Sequence, residues 1–169
     1  MKAERAGIAF GSNLGDRLAN FCTARDRLVA LAGISAPILS SSIFETEPVD
    51  CEPGAPAFYN AVIEVGYSGT AHALLTSIRE IERALGRDDN HPRNESRAID
   101  LDLLYLDGMS SEEGDLRLPH PRMHLRRFVL EPLAEIRPDL LLPNQTVSVG
   151  ELLEKLQDPA AVSRVLEKW

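Results

Sequence analysis

Two acids two residues apart, Asp100 and Asp102, stand inside the apolar stretch Ile99-Asp100-Leu101-Asp102-Leu103-Leu104-Tyr105-Leu106. An extended chain puts Ile99, Leu101, Leu103 and Tyr105 on one parity and Asp100, Asp102, Leu104 and Leu106 on the other. Asp is depleted in strands and is rarely buried without a partner. Residues i and i+2 point the same way, roughly 6–7 Å apart at Cβ. That spacing lets two carboxylates converge on hard cations. Mg²⁺ suits such a pair, because it takes few protein carboxylates and shares its other positions with water and phosphate. The alternative is a strand whose polar parity meets solvent, and Leu104 and Leu106 on that parity argue against it.

Other residues are placed for polar chemistry. Glu82 falls in the middle of an apolar helical face and near the helix C-terminus, where the dipole disfavours an acid. It has either a role or an escape to solvent. Arg87 to Ser96 is a polar loop, with Asp88, Asp89, Asn90, His91, Arg93 and Asn94, that leads into Arg97 and the acid pair. A long polar loop beside a metal site is the usual arrangement of a lid. His120 lies between Pro119 and Pro121, which hold the backbone extended. Arg126 and Arg127 fall in the first turn of a helix, where a nearby anion would suit them.

The elements that must position these residues follow from periodicity and punctuation. Ala6–Phe10 reads as a strand, and residues 11–16 as a tight turn. Asp16 to about Ala32 reads as a helix with Leu18, Phe21, Cys22, Leu28, Val29 and Ala32 on one face, ended by Gly33. Ile38–Glu45 reads as a second strand. Residues 47–56 hold three Pro and one Gly and form a loop. Phe58–Tyr67 reads as a strand with Phe58, Asn60, Val62 and Glu64 on one parity. Thr70 caps a helix running to about Leu85. After the acid-bearing strand, Ser110–Asp115 is the tip of a small hairpin and Leu125–Ile136 is helical. Val149–Leu156 and Ala160–Leu166 read as weak closing helices.

With 169 residues the chain fits one domain spanning 1–169 with a sizeable core. A net charge of −8 argues against a nucleic-acid surface, so an anionic substrate needs a locally positive site. Between Arg79 and Arg127 every basic side chain other than histidine is Arg, whose planar fork fits phosphate. A codon bias toward Arg explains this equally well. Cys22 and Cys51 form no zinc spacing or disulfide framework. No apolar run is long enough for a bilayer, and no signal peptide opens the chain, so a cytoplasmic protein is expected.

The order strand-helix-strand-strand-helix-strand is a βαββαβ core with an antiparallel sheet. On Gly11-Ser12-Asn13-Leu14-Gly15-Asp16, Phe58-Tyr59-Asn60-Ala61, Gly86-Arg87, Arg97 to Asp102, Pro119-His120 and Arg126 to Leu133, the chain resembles the 6-hydroxymethyl-7,8-dihydropterin pyrophosphokinase family of folate biosynthesis. The resemblance implies an α+β, ferredoxin-like fold with an extra hairpin and C-terminal helices. It implies transfer of pyrophosphate from ATP to the pterin hydroxymethyl group, releasing AMP. A monomer without nucleic-acid or membrane partners is expected. Asp100 and Asp102 would hold two Mg²⁺, and Arg87 and Arg97 would be catalytic with them. Arg87, Arg97, His120 and Arg126 would lie near the phosphates, with Glu82 and Leu103 in the nucleotide region. Phe58 and Phe128 would stack on the pterin, and Asn60 would bond its edge with backbone help from Thr46 and Val49.

One departure stands out. Many members of the family have Trp-Gly-Pro before the arginine that precedes the acids, where this chain has Asn94-Glu95-Ser96. Two rival readings use the same acids. A nucleotidyl- or glycosyltransferase would release pyrophosphate or a nucleoside diphosphate. A non-catalytic ferredoxin-like module would bind a cation without consuming ATP. The arginines, His120 and the Phe-Asn pair flanking the acids favour the pyrophosphokinase.

Overall fold

The computed structural model describes residues 2–48, 51–86 and 96–169. The elements in chain order are β1 (Glu4–Ser12), α1 (Arg17–Val29), β2 (Ile34–Ser40), β3 (Ile43–Thr46), β4 (Phe58–Tyr67), α2 (Ala71–Ala84) and β5 (Asp100–Leu106). They are followed by β6 (Ser111–Glu113), β7 (Leu116–Leu118), α3 (Arg127–Ile136), α4 (Val149–Lys155) and β8 (Val162–Leu166). The main sheet is antiparallel in the order β5-β1-β4-β3-β8, with β2 also paired to β4. β6 and β7 form a separate hairpin. This is the ferredoxin-like arrangement, extended at one edge by β8.

Strand alternation sorts the core into two layers. Ala61, Ile63, Val65 and Tyr67 of β4 face α1 and α2, where Phe21, Leu28, Leu74 and Ile78 pack. Val62 faces the opposite side, with Val129, Leu130 and Leu133 of α3 and Val149 of α4. The Thr70 side chain caps α2 by accepting from Ala73 N at 3.2 Å, as its sequence indicates.

Several boundaries differ from the sequence reading. The strand expected over Ile38–Glu45 is two strands, broken at Ser41-Ser42. Ser41 Oγ accepts from Val62 N at 2.9 Å, and Glu135 of α3 accepts from both Ser42 N and Ser42 Oγ. The serines therefore satisfy backbone groups that a continuous ladder would otherwise have paired. Helix α1 stops at Val29, and Gly33, at φ 87°, turns the chain into β2. Leu18 and Val29 are exposed; its buried residues are Phe21, Ala24 and Leu28. Ala160–Leu166 is not a helix: Val162–Leu166 pairs with β3 as an edge strand. Residues 123–125 form a separate 3₁₀ turn, so α3 begins only at Arg127 with Arg126 as its N-cap.

A β-bulge interrupts β5. Gly7 of β1 pairs with Tyr105 and Ile8 with Leu103, which leaves Leu104 as the extra residue. The predicted parity holds through Leu103 and then inverts. Leu106 joins Leu101 and Leu103 in the α1/α2 layer, while Leu104 and Tyr105 both lie in the α3/α4 layer. Tyr105 crosses β1 at Gly7, where a Cβ would come within 2.2 Å of the ring. Its hydroxyl donates to Glu64 Oε2 at 2.6 Å. Glu64 is 1% exposed and also takes ion pairs from Arg5 (2.9 Å) and Arg137. Burial, and then the Glu64 carboxylate, push the Tyr105 phenol above its usual range and keep it a donor. Tyr105→Phe deletes one bond to a buried carboxylate. It should cost about 1.5–3 kcal/mol in urea unfolding, with activity per folded molecule unchanged.

Candidate active site

The acids lie on β5, at the edge of the sheet, where a carboxylate can reach solvent. Asp100 pairs in register with Gly11 and Asp102 with Ala9. Gly11 also pairs with Asn60 of β4. Asp100, Gly11 and Asn60 thus form one row across three strands on the α3 side of the sheet. Two strand spacings put the acid and the amide about 9–10 Å apart at the backbone. The missing side chain of Gly11 keeps the space between them open, since a Cβ there would lie 3.8 Å from Asp100 Cβ and 3.9 Å from Asn60 Oδ1. Two small residues of β1 therefore form the floor of the site.

Asn60 and Thr46 are buried, and Asn60 Nδ2 donates to Thr46 Oγ1 at 2.8 Å. This bond sets the amide plane. Thr46 contributes its hydroxyl here, in addition to the backbone role expected of it. Phe58 sits one row further along, paired with Thr46. Phe128 comes from the first turn of α3, and the Arg126 guanidinium lies 5.4 Å from its ring centroid. Thr46, Phe58, Asn60, Arg97, Asp100, Asp102, Arg126 and Phe128 line one cavity of about 150 Å³.

A second cavity, of about 250 Å³, opens beside it. Glu82, Asp102, Leu103, Arg117 and His120 are among its walls. Asp102 lines both cavities. Glu82 is buried, and its Oε1 accepts from Leu101 N at 2.7 Å. Leu101 lies on an edge strand, and the carboxylate takes up its outward N–H between the two acids. The escape to solvent allowed by the sequence does not occur.

His120 is held by the bulge. Leu104 O, turned out of the ladder, accepts from His120 N at 2.7 Å, and His120 Nδ1 accepts from Arg122 N at 3.2 Å. The neutral ring therefore carries its proton on Nε2. Burial first, then the charges of Arg126 and Arg122, lower its pKa to about 4. The unfolded chain regains a proton near pH 6.5, and the folded chain does so only near 4. This stabilising contribution is complete above pH 6.5 and is lost as the pH falls through 4. Thermal unfolding of the wild type and His120→Gln should show the wild type losing ground over that interval.

The arginines divide. Burial and Arg122 lower the pKa of Arg126, while Asp102 and Asp100 oppose that shift. Arg97 Nη1 lies 3.2 Å from Asp100 Oδ2. Arg127, grouped with Arg126 in the sequence as suited to an anion, faces elsewhere. Its N–H donates to Asp158 Oδ2 at 3.1 Å and its Nη2 to Leu156 O at 3.2 Å, which ties down the segment after α4. Arg87 and Val49 lie outside the described residues, as do residues 88–95 of the expected lid, with Arg93 and Asn94-Glu95.

Asp100 and Asp102 offer hard oxygen donors on one strand face, in one cavity. Among the described residues no three His, Cys, Asp or Glu side chains form a complete metal cage. A cation sharing its shell with phosphate and water needs no such cage, so the pair fits Mg²⁺ bound with a nucleotide. The sequence reading gave no role to Asn13, which contacts the backbone of Arg97, or to the floor residue Ala9. A small residue in a strand and an Asn in a turn show no individual role without knowledge of their neighbours.

The profile of the 7,8-dihydro-6-hydroxymethylpterin-pyrophosphokinase family matches residues 7–138. The 2-amino-4-hydroxy-6-hydroxymethyldihydropteridine pyrophosphokinase of Methylorubrum extorquens is 38% identical over 161 residues, covering 95% of this chain and 98% of that one. The folic acid synthesis protein FOL1 of Dictyostelium discoideum is 34% identical over 145 residues; the match covers 86% of this chain but only 21% of that longer protein. A crystal structure of HPPK-DHPS in complex with substrates has the same fold, at a TM-score of 0.68 and 13% identity. It covers 90% of this chain and 43% of that one.

Proposed function

From the premise that the chain belongs to the 7,8-dihydro-6-hydroxymethylpterin-pyrophosphokinase family, diphosphotransferases of folate biosynthesis, we propose how its residues divide that reaction. The pterin hydroxymethyl oxygen attacks the β-phosphorus of ATP and gives up its proton to Asp102 or to water, the O–P bond forms, the bond to the αβ bridging oxygen breaks, and AMP leaves. One observation carries the assignment. Asp102 is a shared wall between a cavity that holds Phe58, Phe128 and Asn60 together with Arg97 and Arg126, and a second cavity that holds His120, Leu103 and Glu82. The first suits a flat heterocycle with phosphates at its arginine end, and the second suits the rest of the nucleotide.

In this reading Phe58 and Phe128 cover the pterin faces, and Asn60, oriented by Thr46, reads its edge. Asp100 and Asp102 hold two Mg²⁺, which would supply charge neutralisation on the triphosphate when bound. Arg97 and Arg126 direct guanidinium donors at the phosphate oxygens where charge develops. His120 donates Nε2–H to a phosphate oxygen as a neutral ring. Glu82 fixes the strand between the acids, and Leu103 contributes an apolar wall to the nucleotide cavity. Arg87 and Val49 keep the roles that the family resemblance implies. Among the described residues no helix is long and apolar enough to cross a membrane. We place the enzyme in the cytoplasm.

Incubation with ATP, Mg²⁺ and hydroxymethyl-dihydropterin, with the nucleotide products resolved, tests the reading. AMP formed only with the pterin supports it; ADP, or no turnover, overturns it. A narrower test is Asn60→Ala. Deleting the amide leaves polar atoms of a buried heterocycle unpaired, at about 1–3 kcal/mol. Calorimetry should show weaker pterin binding with nucleotide binding unchanged.

A further inference from the structure

We infer that Asn13 is a positioning residue for Arg97, tying it through one buried amide to the chain that enters β4. The inference rests on the role proposed for Arg97. Asn13 lies in the turn from β1 to α1 and is 1% exposed. Its Oδ1 accepts from Arg97 N at 2.7 Å. Its Nδ2 donates to Ser96 Oγ at 3.0 Å and to Pro56 O at 3.3 Å. The Asn13 and Leu14 backbone N–H groups both donate to Arg97 O, at 3.1 and 3.2 Å.

Arg97 is thus held at its own N–H and its own C=O by a single turn. It precedes β5 and belongs to no ladder, so these bonds replace the ones a strand would have provided. The amide orientation follows from its partners, because only the oxygen can accept from the Arg97 N–H. Pro56 stands two residues before Phe58. The same side chain therefore sets the backbone entering the aromatic wall and the backbone carrying the arginine. Arg17, from the start of α1, secures the neighbouring position by donating to Ala57 O at 2.7 Å and to Glu45 Oε2 at 2.9 Å.

The chemistry selects asparagine. An acceptor and two donors must leave one short side chain in fixed directions. Alanine supplies none of the three, and aspartate supplies the acceptor alone. A guanidinium whose backbone is loosened still carries its charge but meets the reacting oxygens less often. The loss then falls on turnover more than on binding.

The test uses the full-length protein with Asn13→Ala and Asn13→Asp. Exchange of the Arg97 amide hydrogen is read by NMR beside steady-state kinetics. For Asn13→Ala the Arg97 amide should exchange at least about tenfold faster, and kcat should fall about 10- to 100-fold, with KM for both substrates within about threefold. Asn13→Asp keeps the acceptor and should restore Arg97 protection to within about threefold of wild type. If Asn13→Ala does not fold, Ser96→Ala replaces it, with faster Arg97 exchange and a lower kcat expected. Unchanged Arg97 exchange in a folded Asn13→Ala or Ser96→Ala protein overturns the inference, as does a raised KM at unchanged kcat. If the wild type makes no AMP, the functional reading fails, and the exchange measurement alone decides whether Asn13 holds Arg97.

Discussion

Asp100→Asn and Asp102→Asn should each lose turnover by about 100-fold or more while the fold survives. The substitution keeps the size and shape of the side chain and removes its charge. Both acids sit on the open edge of the sheet, and the Asp100 side chain is 26% exposed. The unfolding free energy should therefore move little, since the partly exposed Arg97–Asp100 pair contributes about 1 kcal/mol or less. The catalytic loss has a different origin. In the proposed mechanism each acid supplies negative charge where divalent ions and a triphosphate meet, in a cavity whose other charged walls are Glu47, Arg97 and Arg126. Without one acid the positive side chains remain, but the ion between them and the phosphates is held less well. Turnover within about threefold of wild type at saturating Mg²⁺, in either variant, would refute the metal role.

Arg97→Ala should lower kcat about 100-fold with the dissociation constant for ATP within about threefold. The guanidinium is already paired with Asp100, so a contact with phosphate would add little to nucleotide recruitment. In the proposed mechanism, with the acids holding the cations, the same guanidinium would lie beside the oxygens that gain charge as the αβ bridge breaks. An interaction made mainly in the reacting state appears in kcat. Loss of ATP affinity at unchanged kcat would instead make Arg97 a simple binding residue. Hydrogen exchange over 87–97, with and without nucleotide, Mg²⁺ and pterin, tests the lid expected over that segment. Equal protection in both states would remove it from the account.

The sequence alone determined the features that repeat with a short period. The ends of β4 at Phe58 and Tyr67, the Thr70 cap of α2 and the common face of Asp100 and Asp102 were all legible. Each rests on a local alternation or a local cap, which the chain carries whatever its partners do. The pairing of Asp100 with Asn60 across Gly11 was not legible. It depends on the register of three strands far apart in sequence. Nor was the change of face at Tyr105, because a bulge is a mismatch with a neighbouring strand and the residue types along β5 do not record it. Ala160–Leu166 shows the same limit: a short, half-exposed stretch has no strong preference, and the free edge of β3 decided that Val162–Leu166 became a strand. Glu82, Asn13 and the Leu104 carbonyl each satisfy a backbone group of a distant element. Only the tertiary structure could assign them, because the unpaired group each one meets is created by the packing of the sheet.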